Sequence, residues 1–80
     1  MRNRRRLRFT LPRASPVRLT IYDARGRRVR ELASGEMPAG RRQLVWDLRD
    51  GGGRVVDGGV YVARLDAGGR TLTRKLVALR

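Results

Sequence analysis

Turn-forming clusters punctuate this chain at intervals of roughly 8–12 residues, and the runs between them alternate apolar with polar side chains. Val17 to Asp23 (VRLTIYD) is the clearest case: Val17, Leu19 and Ile21 share one face, while Arg18, Thr20 and Tyr22 share the other. Such alternation has the period of a half-buried strand, and helix signals are nearly absent. The expected fold is all-β, an antiparallel sandwich or barrel.

The strands can be placed one by one. Leu7 to Leu11 puts Leu7, Phe9 and Leu11 on one face and stops at Pro12, since a central strand cannot continue through a residue without an N–H. Val17–Asp23 and Arg27–Leu32 form a hairpin whose turn needs Gly26 at positive φ. Ala33–Gly40 (ASGEMPAG) reads as a loop, and Gln43–Leu48 as a strand with Leu44, Trp46 and Leu48 on one face. A turn at Asp50–Gly53, a short strand at Arg54–Val56 and a turn at Asp57–Gly59 lead into a terminal hairpin, Val60–Asp66 and Arg70–Leu79, closed by Gly68-Gly69. The total of about seven short strands is that of an immunoglobulin-like antiparallel β-sandwich. Its expected core is Leu19, Ile21, Val29, Leu44, Trp46, Tyr61, Leu65 and Leu76. A chain of 80 residues holds one domain, expected over residues 7–80 behind a disordered basic tail over residues 1–6, with no internal repeat and no linker.

The composition removes most catalytic chemistry. There is no cysteine and no histidine, so thiolate nucleophiles, imidazole bases and the usual soft metal sites are excluded. No base adjoins Ser15 or Ser34, and the seven carboxylates alternate with arginines on expected solvent faces. Asp47, Asp50 and Asp57 match no calcium-loop spacing and are read as turn residues that satisfy backbone amides. Gly51-Gly52-Gly53-Arg54 lacks the Lys-Ser/Thr pair and the following helix of a phosphate loop. The chain is therefore not expected to be an enzyme, and neither a metal nor a cofactor is expected.

Charge supplies the one competing reading. The formal net charge is +13, and Arg2, Arg4, Arg5, Arg6 and Arg8 crowd the first eight residues. Arg18, Arg28, Arg30, Arg42, Arg64 and Arg74 are expected to face outward. Arg2, Arg4, Arg5, Arg6, Arg18 and Arg64 are the candidate contacts for nucleic acid or another polyanion, bound without sequence preference. Against this, Lys75 is the only lysine, a bias that a GC-rich coding sequence produces unaided, and four aromatic residues make a poor stacking platform. MRNRRRLRF resembles the charged start of a signal peptide, but Thr10, Pro12, Arg13 and Ser15 interrupt any apolar segment behind it. No run approaches the roughly 18 apolar residues of a membrane span. A chain expressed alone is thus expected in the cytoplasm.

Four ordered motifs carry a more specific resemblance. RFTLPRASPVRLTIYDARGRRVREL, MPAGRRQLVWD, GRVVDGGVYVARLDAGG and RKLVALR, from about Arg8 to Arg80, resemble the C-terminal immunoglobulin-like domain shared by the flagellar hook-capping protein and the type IX secretion sorting domains. Two positions depart from that pattern: Leu48 stands where the family usually has Gly after Trp-Asp, and Gly58 replaces a Ser before the GVY strand. MRNRRRL takes the place of an upstream Asn-Pro-Phe-type segment. The resemblance implies a non-catalytic structural or sorting module of a larger exported protein, secreted or at the cell surface. Its partners would be proteins of a secretion or assembly machinery, or neighbouring domains.

Overall fold

A computed structural model describes residues 4–79. Among them are six strands: β1 (Arg5–Leu11), β2 (Ser15–Asp23), β3 (Arg28–Met37), β4 (Gly40–Trp46), β5 (Gly59–Ala67) and β6 (Arg70–Ala78). They form two antiparallel sheets, one of two strands in the order β1-β4 and one of four in the order β3-β2-β5-β6. The chain passes between sheets at 12–14, at Pro38-Ala39 and through the long connection 47–58.

The core lies between the sheets. Val17, Leu19 and Ile21 of β2 and Tyr61, Ala63 and Leu65 of β5 project from the large sheet, and Leu7 and Leu11 of β1 meet them from the small one. Trp46 and Leu48 close the end where β4 leaves the sheet. Trp46 is fully buried, and its indole N–H donates to the Arg49 carbonyl at 2.9 Å, so its one polar atom is satisfied.

Four expectations are corrected. Arg5 and Arg6 are not tail: they pair with Trp46 and Val45 of β4 as the first rungs of β1. The segment 33–37 is strand and not loop, because Gly35 and Ser34 pair with Val17 and Arg18, which confines the turn to Pro38-Ala39. Arg54–Val56 makes only the bridge Arg49↔Val55, whose two bonds run from Asp50 N to Arg54 O and from Val56 N to Leu48 O. Six strands are therefore present among the described residues where about seven were expected. Val29 and Leu44 are half-buried against the core and not inside it. For Val29 the reason is local: β3 shifts register against β2 twice, and each shift inserts an unpaired residue, Leu32 and then Val29, that breaks simple alternation.

Candidate functional site

Two turns at one end of the sandwich are built on one five-residue pattern, Asp-x-x-Gly-Arg. In Asp23-Ala24-Arg25-Gly26-Arg27, the Asp23 Oδ1 accepts the amides of Arg25 and Arg27 at 2.9 Å each, and Gly26 takes a φ of 84°. In Asp50-Gly51-Gly52-Gly53-Arg54, the Asp50 Oδ1 accepts the amides of Gly52 and Arg54 at 2.9 and 3.0 Å, and Gly53 takes a φ of 87°. Both loops close with the Asp amide donating to the Arg carbonyl and the Gly amide donating to the Asp carbonyl. The two adjoin, Gly51 N donating to Val29 O at 3.0 Å. Asp-x-x-Gly-Arg is thus an internal repeat that a search for long periods passes over.

This geometry decides what the loops can hold. The amides that a phosphate would need around Gly51–Arg54 are already engaged, those of Gly52 and Arg54 by the Asp50 carboxylate, an anion supplied by the chain itself, and those of Gly51 and Gly53 by backbone carbonyls. The Arg54 amide foremost, with that of Gly52, holds the Asp50 carboxyl below its ordinary value of 3.8. Asp23 is held low in the same way, first by the Arg27 amide and then by the Arg27 guanidinium, whose Nε donates to Oδ2 at 2.9 Å. Asp47 receives Arg30 at 2.6 Å and the Arg49 amide at 3.1 Å, a clasp between β3 and the start of the long connection. Asp57 instead lends its carbonyl to the Tyr61 hydroxyl at 2.7 Å. Among the described residues no group of three or more acidic side chains converges as a metal site would require.

The candidate polyanion contacts do not gather on one face. Arg2 lies outside the described residues. Arg4 is exposed just before β1, and its carbonyl accepts from Arg5. Arg5 is half-buried and donates Nε to the Val77 carbonyl of β6 at 2.7 Å. Arg18 and Arg64 stand on the outer face of the large sheet among acids: Arg18 lies 3.4 Å from Glu31, Arg64 3.2 Å from Asp66, and Arg18 is the register partner of Asp66. Two arginines expected to face outward are half-buried instead, Arg30 against Asp47 and Arg42 against the Ala39 carbonyl.

A basic face does exist elsewhere. Arg6 and Arg8 of β1 and Arg41 of β4 are exposed, and neither strand contains a carboxylate. Among the described residues no ion pair involves any of the three. Sequence reasoning placed Arg6 in a tail, counted Arg8 only within the N-terminal basic cluster and passed over Arg41. The missed signal was the absence of acid from both RRLRFTL and GRRQLVW.

The FlgD Ig-like domain family matches residues 3–71. The chain belongs to that family. Among solved structures, a crystal structure of FlgD from P. aeruginosa is similar, with 26% identity and a TM-score of 0.69 over 96% of this chain. The chain spans 60% of the length of that FlgD chain. No curated protein matches. Within the matched range, IYDARGR forms the Asp23 loop, and the Trp46-Asp47 pair supplies both the buried indole and the Arg30 clasp. The match to type IX sorting domains implied by the sequence motifs is not among these findings.

Proposed function

We propose that this FlgD-like domain is a non-catalytic structural module of a larger exported or surface-assembled bacterial protein, and that it works by protein–protein contact. The family membership carries this reading, together with the way the loops spend their polar groups: Asp23, Asp47 and Asp50 all hold the domain's own backbone or side chains. Such a module presents strand edges and loops to components of a secretion or assembly machinery, at the cell surface or outside the cell. Binding of nucleic acid is then a by-product of charge.

Deleting residues 8–79 in frame from the gene in the source bacterium tests this. Export of the remaining protein, or its incorporation into an extracellular assembly, should be lost while its synthesis continues. Unchanged export and assembly would overturn the reading.

A further inference from the structure

The two sheets differ in width, and the difference leaves one strand edge open over apolar surface. By alternation with buried Leu76 and Ala78, Leu72 and Arg74 point to the core-facing side of β6, yet Leu72 is 57% exposed. The small sheet stops at β1 and does not roof them. A groove results, with Leu7 and Phe9 of β1 on one wall, Leu72 and Arg74 of β6 on the other, and Ala63 and Leu65 beneath.

The register says which backbone groups face outward there. The Gly68-Gly69 turn has positive φ at both residues, 56° and 79°, and is closed by the pair Ala67↔Arg70, so hydrogen-bonded pairs recur at Arg70, Leu72, Arg74, Leu76 and Ala78. The N–H and C=O of Thr71, Thr73, Lys75 and Val77 then point away from β5. Val77 bears this out, because its carbonyl is the one that Arg5 reaches. Among the described residues no such cap meets Thr71, Thr73 or Lys75. An open edge of this kind accepts an added strand.

Charge selects the occupant. Arg8 and Arg74 flank the groove, Arg70 and Lys75 lie on the same strand, and no carboxylate lines it. A second copy pairing edge to edge would bring Arg70, Arg74 and Lys75 of both chains together, at the cost of like-charge repulsion. We propose that the β6 edge binds an extended peptide of alternating apolar and acidic residues. The peptide hydrogen-bonds to Thr71, Thr73 and Lys75, its apolar side chains enter the groove against Leu72 and Phe9, and its carboxylates, on the opposite face, come beside Lys75. This rests on the protein-contact reading and names its surface.

The probe is a blocked peptide of alternating valine and glutamate, matched to the nine residues of β6, titrated into the chain at about 0.15 M salt. The expected results are saturable binding and slowed hydrogen exchange at the amides of Thr71, Thr73 and Lys75. Replacing glutamate by lysine in the peptide should weaken binding by at least about tenfold through like-charge juxtaposition. Thr73→Pro should do the same while leaving the fold intact, because that N–H serves no internal bond and proline is tolerated at sheet edges. Leu72→Ser, at an exposed position, should also weaken binding and gives an independent check. No binding, or binding indifferent to Thr73→Pro and Leu72→Ser, would overturn the proposal. So would equal competition by polyglutamate or single-stranded DNA, which would show simple polyanion adhesion. If the peptide fails while the in-frame deletion still abolishes assembly, the surface is wrong and the module reading stands.

Discussion

Trp46 and Tyr61 meet edge to face, their ring centroids 5.2 Å apart and their planes inclined at 69°. Trp46 ends β4 of the small sheet and Tyr61 lies in β5 of the large one, so this contact ties the two layers together. Each ring also anchors the long connection between these strands, the indole through the Arg49 carbonyl and the phenol through the Asp57 carbonyl. Trp46→Ala should cost about 3–5 kcal/mol, a large share of the stability of so small a domain. Tyr61→Phe keeps the ring contact and removes one hydrogen bond, for about 1 kcal/mol. Chemical denaturation of the two variants checks the order. Equal costs would mean that the hydroxyl, and not the ring pair, holds the layers.

Leu48 combines two properties that seldom coincide, a φ of 62° and a side chain only 1% exposed. The left-handed backbone costs a non-glycine residue about 1–2 kcal/mol, and burial of the leucine offsets it. Leu48→Ala should lose about 2–5 kcal/mol, because the cavity opens and the strain remains. Leu48→Gly should be milder by roughly 1 kcal/mol, the reverse of the usual order for these two residues in a strand or helix. Urea midpoints of the pair decide it, and a glycine variant less stable than the alanine variant contradicts the account.

The two Asp-centred loops set an acid limit. Their carboxyls are held below 3.8, Asp23 foremost by the Arg27 amide and Asp50 foremost by the Arg54 amide. The folded state therefore binds fewer protons than the unfolded chain in this range, so the contribution is complete above about pH 4 and is lost as pH falls through the lowered folded values. Melting temperature should decline below that point. Asp23→Asn and Asp50→Asn, which keep an acceptor oxygen for the turn amides, should flatten the decline. An unaltered acid slope in the double variant would remove these loops as its cause.

Polyanion adhesion should follow unpaired arginines and not the whole basic charge. Arg6, Arg8 and Arg41 have no acidic partner among the described residues, whereas Arg18 and Arg64 are engaged by Glu31 and Asp66. Replacing the first three by alanine should lower the salt slope of DNA binding by up to about 0.9 for each phosphate no longer neutralised, and replacing Arg18 and Arg64 should lower it less. A larger effect from Arg18 and Arg64 would contradict this. Arg5→Ala acts differently: by freeing the Val77 carbonyl it should cost about 1 kcal/mol of stability with little change in slope.

The strands of this fold were legible wherever alternation was uninterrupted, as in VRLTIYD, whose Val17, Leu19 and Ile21 are all buried. Legibility failed where one residue changed parity. The two bulges in β3 bring Leu32 and Val29 out of step, and Thr20, expected outward, is 2% exposed beside the first of them. Charge misled in another way, because an arginine's position in sequence does not reveal its carboxylate. Arg5 and Arg6 read as tail only because their β4 partners lie some forty residues away. Turn chemistry is also conditional on its surroundings. Asp66-Ala67-Gly68-Gly69-Arg70 repeats the pattern of the Asp23 and Asp50 loops, yet it forms a tight two-residue turn with positive φ at both Gly68 and Gly69, and its Asp66 carboxylate accepts from the Arg64 and Thr71 side chains.

Photo-cross-linking inside the source bacterium tests the central claim most directly. A photoreactive residue placed at exposed Leu72, and separately at Arg18, reports what touches each face of the domain within its native protein. The account predicts discrete adducts with identified protein components of an extracellular assembly or its secretion machinery, strongest from Leu72 and resistant to nuclease. Adducts that nuclease removes, formed equally from both positions, would contradict a protein-contact module and make this domain a polyanion-binding protein.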